Sequence, residues 1–165
     1  MDTNLQMRKL KIYLDTSVIN FLFADDAPEY KKITVDFFEN YINEYKVYLS
    51  EVVLTEIANT LVAEKRKKLQ SAITKYNLQV YDKLNAEIEQ LALTYIEEKI
   101  VPSNKLFDAL HIAYATYYEF DVLLSWNFKH LANIRKQIQV NAANEKFGYT
   151  KKLNLLNPME VIYEK

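Results

Sequence analysis

Three brief apolar runs punctuate the chain, at Leu10–Leu14, Val47–Leu49 and Val122–Leu124. Each has the length of a strand buried on both faces. Between them, apolar residues return with the period of a helix. The repeating positions are Ile33, Phe37, Phe38, Tyr41 and Ile42 in Tyr30–Tyr45, and Val53, Ile57 and Leu61 in Val52–Ala63. They are Ile88, Leu91, Ala92, Tyr95 and Ile96 in Asn85–Ile100, and Leu110, Ala113, Tyr114 and Tyr117 in Leu106–Tyr117. Strands alternating with helices require crossover connections, which predicts an α/β fold with a mostly parallel sheet. A further strand is expected near Leu153–Leu156, before Pro158. The stretch Leu78–Tyr81 suits either a strand or a loop. Gly148 suits the left-handed residue that ends a helix running from about Asn133. The run Lys65-Arg66-Lys67-Lys68 separates two helical segments and reads first as a solvated helix end, second as a phosphate contact. With no repeat, linker or low-complexity tract, residues 1–165 are expected to form a single domain.

Composition narrows the chemistry. Half of the 165 residues are hydrophobic and 26% are charged, enough for a sizeable core and too apolar for a disordered chain. The formal net charge is −1, so any basic contact surface must be local. There is no cysteine, which excludes disulfides, thiolate metal sites and a cysteine nucleophile. A single glycine excludes the glycine-rich phosphate cradles. Two histidines, His111 and His130, are too few for a multi-histidine metal site. No apolar run approaches the roughly 18 residues of a membrane span. The opening MDTNLQMRKLKIYLD carries charge inside its first apolar stretch, unlike a signal peptide. A soluble, cytoplasmic protein without membrane contact is expected.

In a parallel sheet, ligands bind beyond the carboxyl ends of the strands. Asp15-Thr16-Ser17 follows the first apolar run, Ser50-Glu51 the second, and Ser125-Trp126-Asn127 the third. Asp15 suits the N-cap of a helix starting near Val18, although Thr16 and Ser17 would cap equally well and leave the carboxylate available. Glu56 falls inside a helix, flanking an apolar stripe beside Val52, Val53, Asn59 and Thr60, where a carboxylate needs a partner. Asp108 opens a helix that is apolar nearly all round, and the helix dipole alone would justify an acid there. His111, three residues on, reads as a core histidine bonded to Asp108 or to a backbone carbonyl, ahead of a metal ligand. Two carboxylates about 4 Å apart repel by roughly 4 kcal/mol at an effective dielectric of about 20. Three would cluster only with proton uptake or a divalent cation. Hard oxygen donors select Mg²⁺ or Mn²⁺, ions that promote phosphodiester hydrolysis.

Four segments together resemble the PIN-domain family, metal-dependent ribonucleases that include the VapC-like toxins of toxin–antitoxin pairs. They are KIYLDTSVI at Lys11–Ile19, VVLTEIANT at Val52–Thr60, LFDALHIAYA at Leu106–Ala115 and VLLSWNFKHLAN at Val122–Asn133, in the family's order. The resemblance implies a three-layer fold with a parallel sheet of four or five strands flanked by helices. It implies Mg²⁺ or Mn²⁺ held by Asp15, Glu56 and Asp108, with Ser17 as a supporting hydroxyl, and attack of an activated water on an RNA phosphate. It also implies an antitoxin protein partner and a homodimer. Many members carry a further aspartate where this chain has Asn127, a neutral and weaker ligand, so a second ion should bind less well. Asp121 precedes its strand, about four residues or ~13 Å from the rim, and is not expected to compensate. Asp25 and Asp26 are candidates to reach the mouth of the site.

Three other readings compete. An aspartate-nucleophile phosphatase of the haloacid-dehalogenase type needs a second acid two residues after the first, where this chain has Ser17. A catalytically weakened PIN-like RNA binder would use Lys65–Lys68, Lys129, His130, Arg135 and Lys136 on phosphates and aromatic residues on bases. Most of the 13 tyrosines and 8 phenylalanines lie at helical spacing, however, which suits a core. A structural partner would bury the apolar residues of Tyr30–Tyr45 and Val52–Ala63 against another helix.

Overall fold

The computed structural model describes residues 8–164. The first seven residues of the charged opening segment lie outside the described residues. The elements alternate as β1 (Lys11–Leu14), α1 (Thr16–Asn20), α2 (Pro28–Asp36), β2 (Lys46–Leu49), α3 (Glu51–Ala58) and α4 (Ala63–Lys75). There follow β3 (Gln79–Val80), α5 (Ala86–Glu97), α6 (Leu106–Tyr117), β4 (Val122–Leu124), α7 (Ile134–Lys146) and β5 (Asn154–Leu156). All strand pairs are parallel, in the order β3-β2-β1-β4-β5. The ambiguous Leu78–Tyr81 stretch therefore supplies an edge strand, and the fold is the expected α/β sheet flanked by helices.

Ile12, Tyr13 and Leu14 are fully buried, as are Val122, Leu123 and Leu124. Successive residues of a strand point to opposite faces, so helices must cover the central strands on both sides. The register sets Leu14 beside Leu124, which brings the residues after β1 and β4 together at one rim. This is where the strand order reverses direction, from β2 on one side of β1 to β4 on the other.

Helix boundaries follow local chemistry. Ser50, Asn85 and Asn133 cap α3, α5 and α7 through side chains that accept from backbone N–H groups. Past α7, Gly148 has φ +87°, the left-handed exit expected there. Two helical spans differ from the sequence pattern. Tyr30–Tyr45 is not one α-helix: α2 ends at Asp36, a π turn spans Phe37–Tyr41 and a 3₁₀ turn spans Ile42–Glu44. The wider turn lets the adjacent Phe37 and Phe38, with Tyr41, all enter the core. Val52–Ala63 also breaks, because Asn59 closes α3 and leaves Leu61 96% exposed. The Lys65–Lys68 run consequently lies inside α4 rather than between helices.

Two features lie away from the reversal rim. At the amino end of β4, Asp121 accepts two hydrogen bonds from the Arg8 guanidinium (2.7 and 2.8 Å) and one from the Lys11 backbone N–H (2.8 Å). The Lys151 ammonium stands 2.9 Å from it. Along β5, three backbone groups that face away from β4 bond to amides of α7. Leu155 N–H donates to Gln137, and Leu153 exchanges a donor and an acceptor with Asn141, each at 2.9 Å.

Candidate active site

Asp15 sits where β1 turns into α1, with its own N–H still donating to the Leu124 carbonyl at 3.1 Å. Its side chain is buried and held on both oxygens. The Ser17 hydroxyl donates to Oδ1 and the Ser125 hydroxyl to Oδ2, each at 2.6 Å. Asp15 also caps α1 through Val18 N–H at 3.4 Å, so neither Thr16 nor Ser17 takes that task. Thr16 instead donates to Glu56 Oε1 at 2.6 Å. Ser17 Oγ further accepts from the Trp126 N–H at 2.9 Å, tying the β4 loop to the Asp15 loop.

Glu56 reaches the same place from α3. Its Oε1 also lies 2.6 Å from Nε2 of the buried His111. The partner of His111 is thus Glu56, on another helix, and not Asp108 or a backbone carbonyl. On its other side, His111 Nδ1 meets the Tyr13 hydroxyl at 2.5 Å, and that hydroxyl meets Ser50 Oγ at 2.7 Å. Ser50 accepts from Val52 N–H as the cap of α3. A buried polar chain therefore runs from the start of α3 through β1 and α6 back to the middle of α3.

Asp108 projects from the first turn of α6, whose interior is buried as its composition predicted. Asp15, Glu56 and Asp108 line one polar pocket of about 270 Å³, together with Ser17, Lys65, His111 and Asn127. Asp25 pairs with Lys31 on the surface, and neither it nor Asp26 lines this pocket. Asn127 borders the pocket, but its Oδ1 accepts from His130 N–H at 3.0 Å and shapes its own loop.

The charges are unevenly matched. Burial raises the Asp15 carboxyl above its ordinary value, only partly offset by the His111 charge and the two serine hydroxyls, while the Asp108 charge adds to the rise. Burial likewise raises Asp108; the His111 charge opposes this and the Glu56 charge adds to it. For Glu56, burial pushes up, but the hydrogen bond and charge of His111, with Thr16, prevail and hold it below the usual carboxylate range. His111 is the counterpart: burial pushes it down, and Glu56, then Asp15 and Asp108, more than reverse that. The pocket thus gathers three carboxylates against one internal histidine and one lysine at the wall.

The donor types fit a hard divalent cation, being carboxylates with an amide oxygen and no sulfur. They do not form a finished cage. Among the described residues, no three His, Cys, Asp or Glu side chains stand ready to hold one ion. Glu56 gives an oxygen to His111 and Thr16, and Asp15 shares both of its oxygens with serines.

Several of these contacts were not legible from spacing. Ser125 follows β4 as Asp15 follows β1, and that symmetry was its one signal. Thr16 and Lys65 were visible only as a possible cap and as part of a basic run, and the contacts of Glu56 with Thr16 and His111 gave no signal, because they depend on how separate segments pack.

No curated protein sequence matches the chain. Among solved structures, a chain of VapBC2 from Rickettsia felis bound to a DNA fragment from their promoter superposes with a TM-score of 0.51. The match covers 88% of this chain and 97% of that chain at 14% identity, a likeness of fold. The sequence model of the PIN domain matches residues 12–134, a span that takes in Asp15, Glu56, Asp108 and Asn127, and on that match the chain belongs to the PIN-domain family.

Proposed function

We propose that the protein is a divalent-cation-dependent endoribonuclease and the toxin of a toxin–antitoxin pair. The observation that carries this reading is the convergence of Asp15, Glu56 and Asp108, from three separate elements, on one polar pocket with too few cations to balance them. Family membership supports nuclease chemistry, and the R. felis complex supports the pairing with an antitoxin.

In this reading Asp15 and Asp108 hold Mg²⁺ or Mn²⁺, with Glu56 as a third carboxylate and Asn127 as a weaker neutral donor. When bound, such an ion supplies a nucleophile at neutral pH and charge stabilisation at the phosphate. The chain's own residues do the rest. Ser17 and Ser125 fix both oxygens of Asp15, so its orientation is set before substrate arrives. His111 and Thr16 fix one oxygen of Glu56 and leave the other uncommitted. When protonated, His111 also sets positive charge behind the acids, lowering the cost of gathering them. Lys65, at the pocket wall, would meet a phosphate oxygen in this reading.

The antitoxin would cover the corner between α3 and α4, where Leu54, Leu61 and Val62 are exposed. A homodimer is the second assembly in this reading.

The test is cleavage of end-labelled single-stranded RNA with Mg²⁺ or Mn²⁺. Wild-type protein should give product only with the ion, and Asp15→Asn should give none. Tight RNA binding with no ion-dependent product would overturn the reading. It would favour a binding domain, an outcome for which the engaged Asn127 amide already offers a reason.

A further inference from the structure

The rim of the acidic pocket continues into two surfaces that the cleavage reading leaves unused. The first is aromatic. Asn20 and Asn127 line the pocket, and the chain runs from them directly into Phe21 and Phe128. These rings join Tyr30 and Trp126 in one group. Tyr30 and Trp126 lie 4.7 Å apart between centroids, Trp126 and Phe128 5.8 Å, and Tyr30 and Phe128 5.9 Å. Trp126 is buried and anchored, its indole N–H donating to Thr34 at 2.8 Å. Tyr30 and Phe128 stay exposed, at 37% and 40%. A rigid base thus carries two outward rings beside the candidate catalytic acids.

The second surface is basic. Lys99, Lys129, Arg135 and Lys136 line a cavity of about 290 Å³ with Asn133. Lys129 follows Phe128 directly. None of the four cations takes part in an ion pair among the described residues, although Lys11, Lys31, Lys75, Lys146 and Lys151 all have anionic or aromatic partners. The Lys136 ammonium is partly buried and held by the Ile100 carbonyl. Burial pulls its pKa down, as does Arg135, while the Asp108 charge pushes it up. In a chain of net charge −1, four such cations around one cavity point to an anionic ligand.

We infer that Phe128 and Tyr30 form a stacking platform for an unpaired nucleobase, with the Lys99, Lys129, Arg135 and Lys136 cavity holding the adjoining phosphates. Such a platform discriminates against paired bases, since a base inside a duplex has no free face to offer it. The inference deepens the ribonuclease reading and rests on it for the identity of the ligand.

Binding is measured by fluorescence anisotropy with the wild-type chain in EDTA, using a labelled ten-nucleotide RNA strand and its blunt duplex. The strand should bind at least about tenfold more tightly than the duplex, with quenching of Trp126, the single tryptophan. Phe128→Ala and the apolar Phe128→Leu should each weaken strand binding about tenfold and leave duplex binding unchanged. Arg135→Gln with Lys136→Gln should weaken both and flatten the salt dependence by about 0.7 for each phosphate no longer neutralised. Equal affinity for strand and duplex would overturn the inference. So would wild-type binding by Phe128→Leu, or strand binding that leaves Trp126 emission untouched. Loss of self-association in the Phe128 variants, with RNA binding intact, would make the platform a protein contact and also overturn it. The two readings fail separately. Platform-dependent strand binding without any cleavage product would sink the nuclease and spare the platform. Ion-dependent cleavage with strand–duplex indifference would do the reverse.

Discussion

The two ends of the sheet treat buried carboxylates in opposite ways. At the amino end of β4, Asp121 has a guanidinium, an ammonium and a backbone N–H around it. The Arg8 hydrogen bonds, with further help from Lys11 and Lys151, hold its carboxyl well below the usual carboxylate range despite burial. At the carboxyl ends of β1 and β4, Asp15 and Asp108 share a pocket with Glu56 and are both raised by burial. The first arrangement is complete and gains nothing from a ligand. The second carries excess negative charge that a cation would relieve. A carboxylate with its full set of donors fastens a fold, and a group of acids short of donors marks a place prepared for something else.

The largest effect expected from breaking this contrast is on activity. Asp108→Asn should reduce RNA cleavage by on the order of 10²-fold or more, while the protein melts at or above the wild-type temperature. Cleavage kinetics and thermal unfolding on the same sample check both halves. Asp121→Ala should do the opposite. It leaves the Lys11 N–H and two cations without their acceptor, at a cost of about 1–3 kcal/mol by denaturant unfolding, with cleavage intact below the melting transition.

Next comes the ion itself. At ten times its dissociation constant, Mg²⁺ or Mn²⁺ should stabilise the wild type by about 1.4 kcal/mol, a Tm rise of roughly 3–6 °C. The rise should vanish in Asp108→Asn and persist in Asp121→Ala. An equal rise in both variants would separate the ion from the pocket.

The pH dependence without ion should also split by region. The Asp121 carboxyl is lower in the folded state than in the unfolded state, so its stabilisation is complete above about pH 4 and fades as the pH falls further. Asp15 and Asp108 are higher when folded. Their burden is therefore full at neutral pH and is relieved as the pH falls through their raised values toward about 4. In melting curves, the gap between wild type and Asp121→Asn should close in acid below that point. The advantage of Asp108→Asn over wild type should close on the way down to it. The smallest effect is expected from Asn127→Asp, which keeps an oxygen for the His130 N–H and adds charge. It should tighten ion binding by about three- to tenfold, read from the ion dependence of Tm.

These contrasts are only half legible in the sequence. The central strands β1 and β4 are plain because each is a short apolar run with helices on both faces, and Asp15 and Asp108 are plain because one follows such a run and the other opens a buried helix. The end of α3 is not, since Leu61 continues the apolar period and only the packed chain shows it facing solvent. The partner of His111 is hidden for a related reason. Spacing within α6 offers Asp108 three residues away, whereas the hydrogen bond goes to Glu56, 55 residues earlier in the chain. Contacts within one helix can be read from periodicity; contacts between helices depend on how the crossovers bring them together.

The amide ladder between α7 and β5 limits how this molecule can associate. Gln137 and Asn141 occupy the outward N–H groups of Leu153 and Leu155 and the Leu153 carbonyl, and the opposite border, β3, is only two residues long. Among the described residues, neither border offers a long run of free donors and acceptors on which a foreign strand could grow. Extension of the sheet by an added strand is thereby disfavoured at the β5 border, and association through side chains on helices and loops is the favoured route.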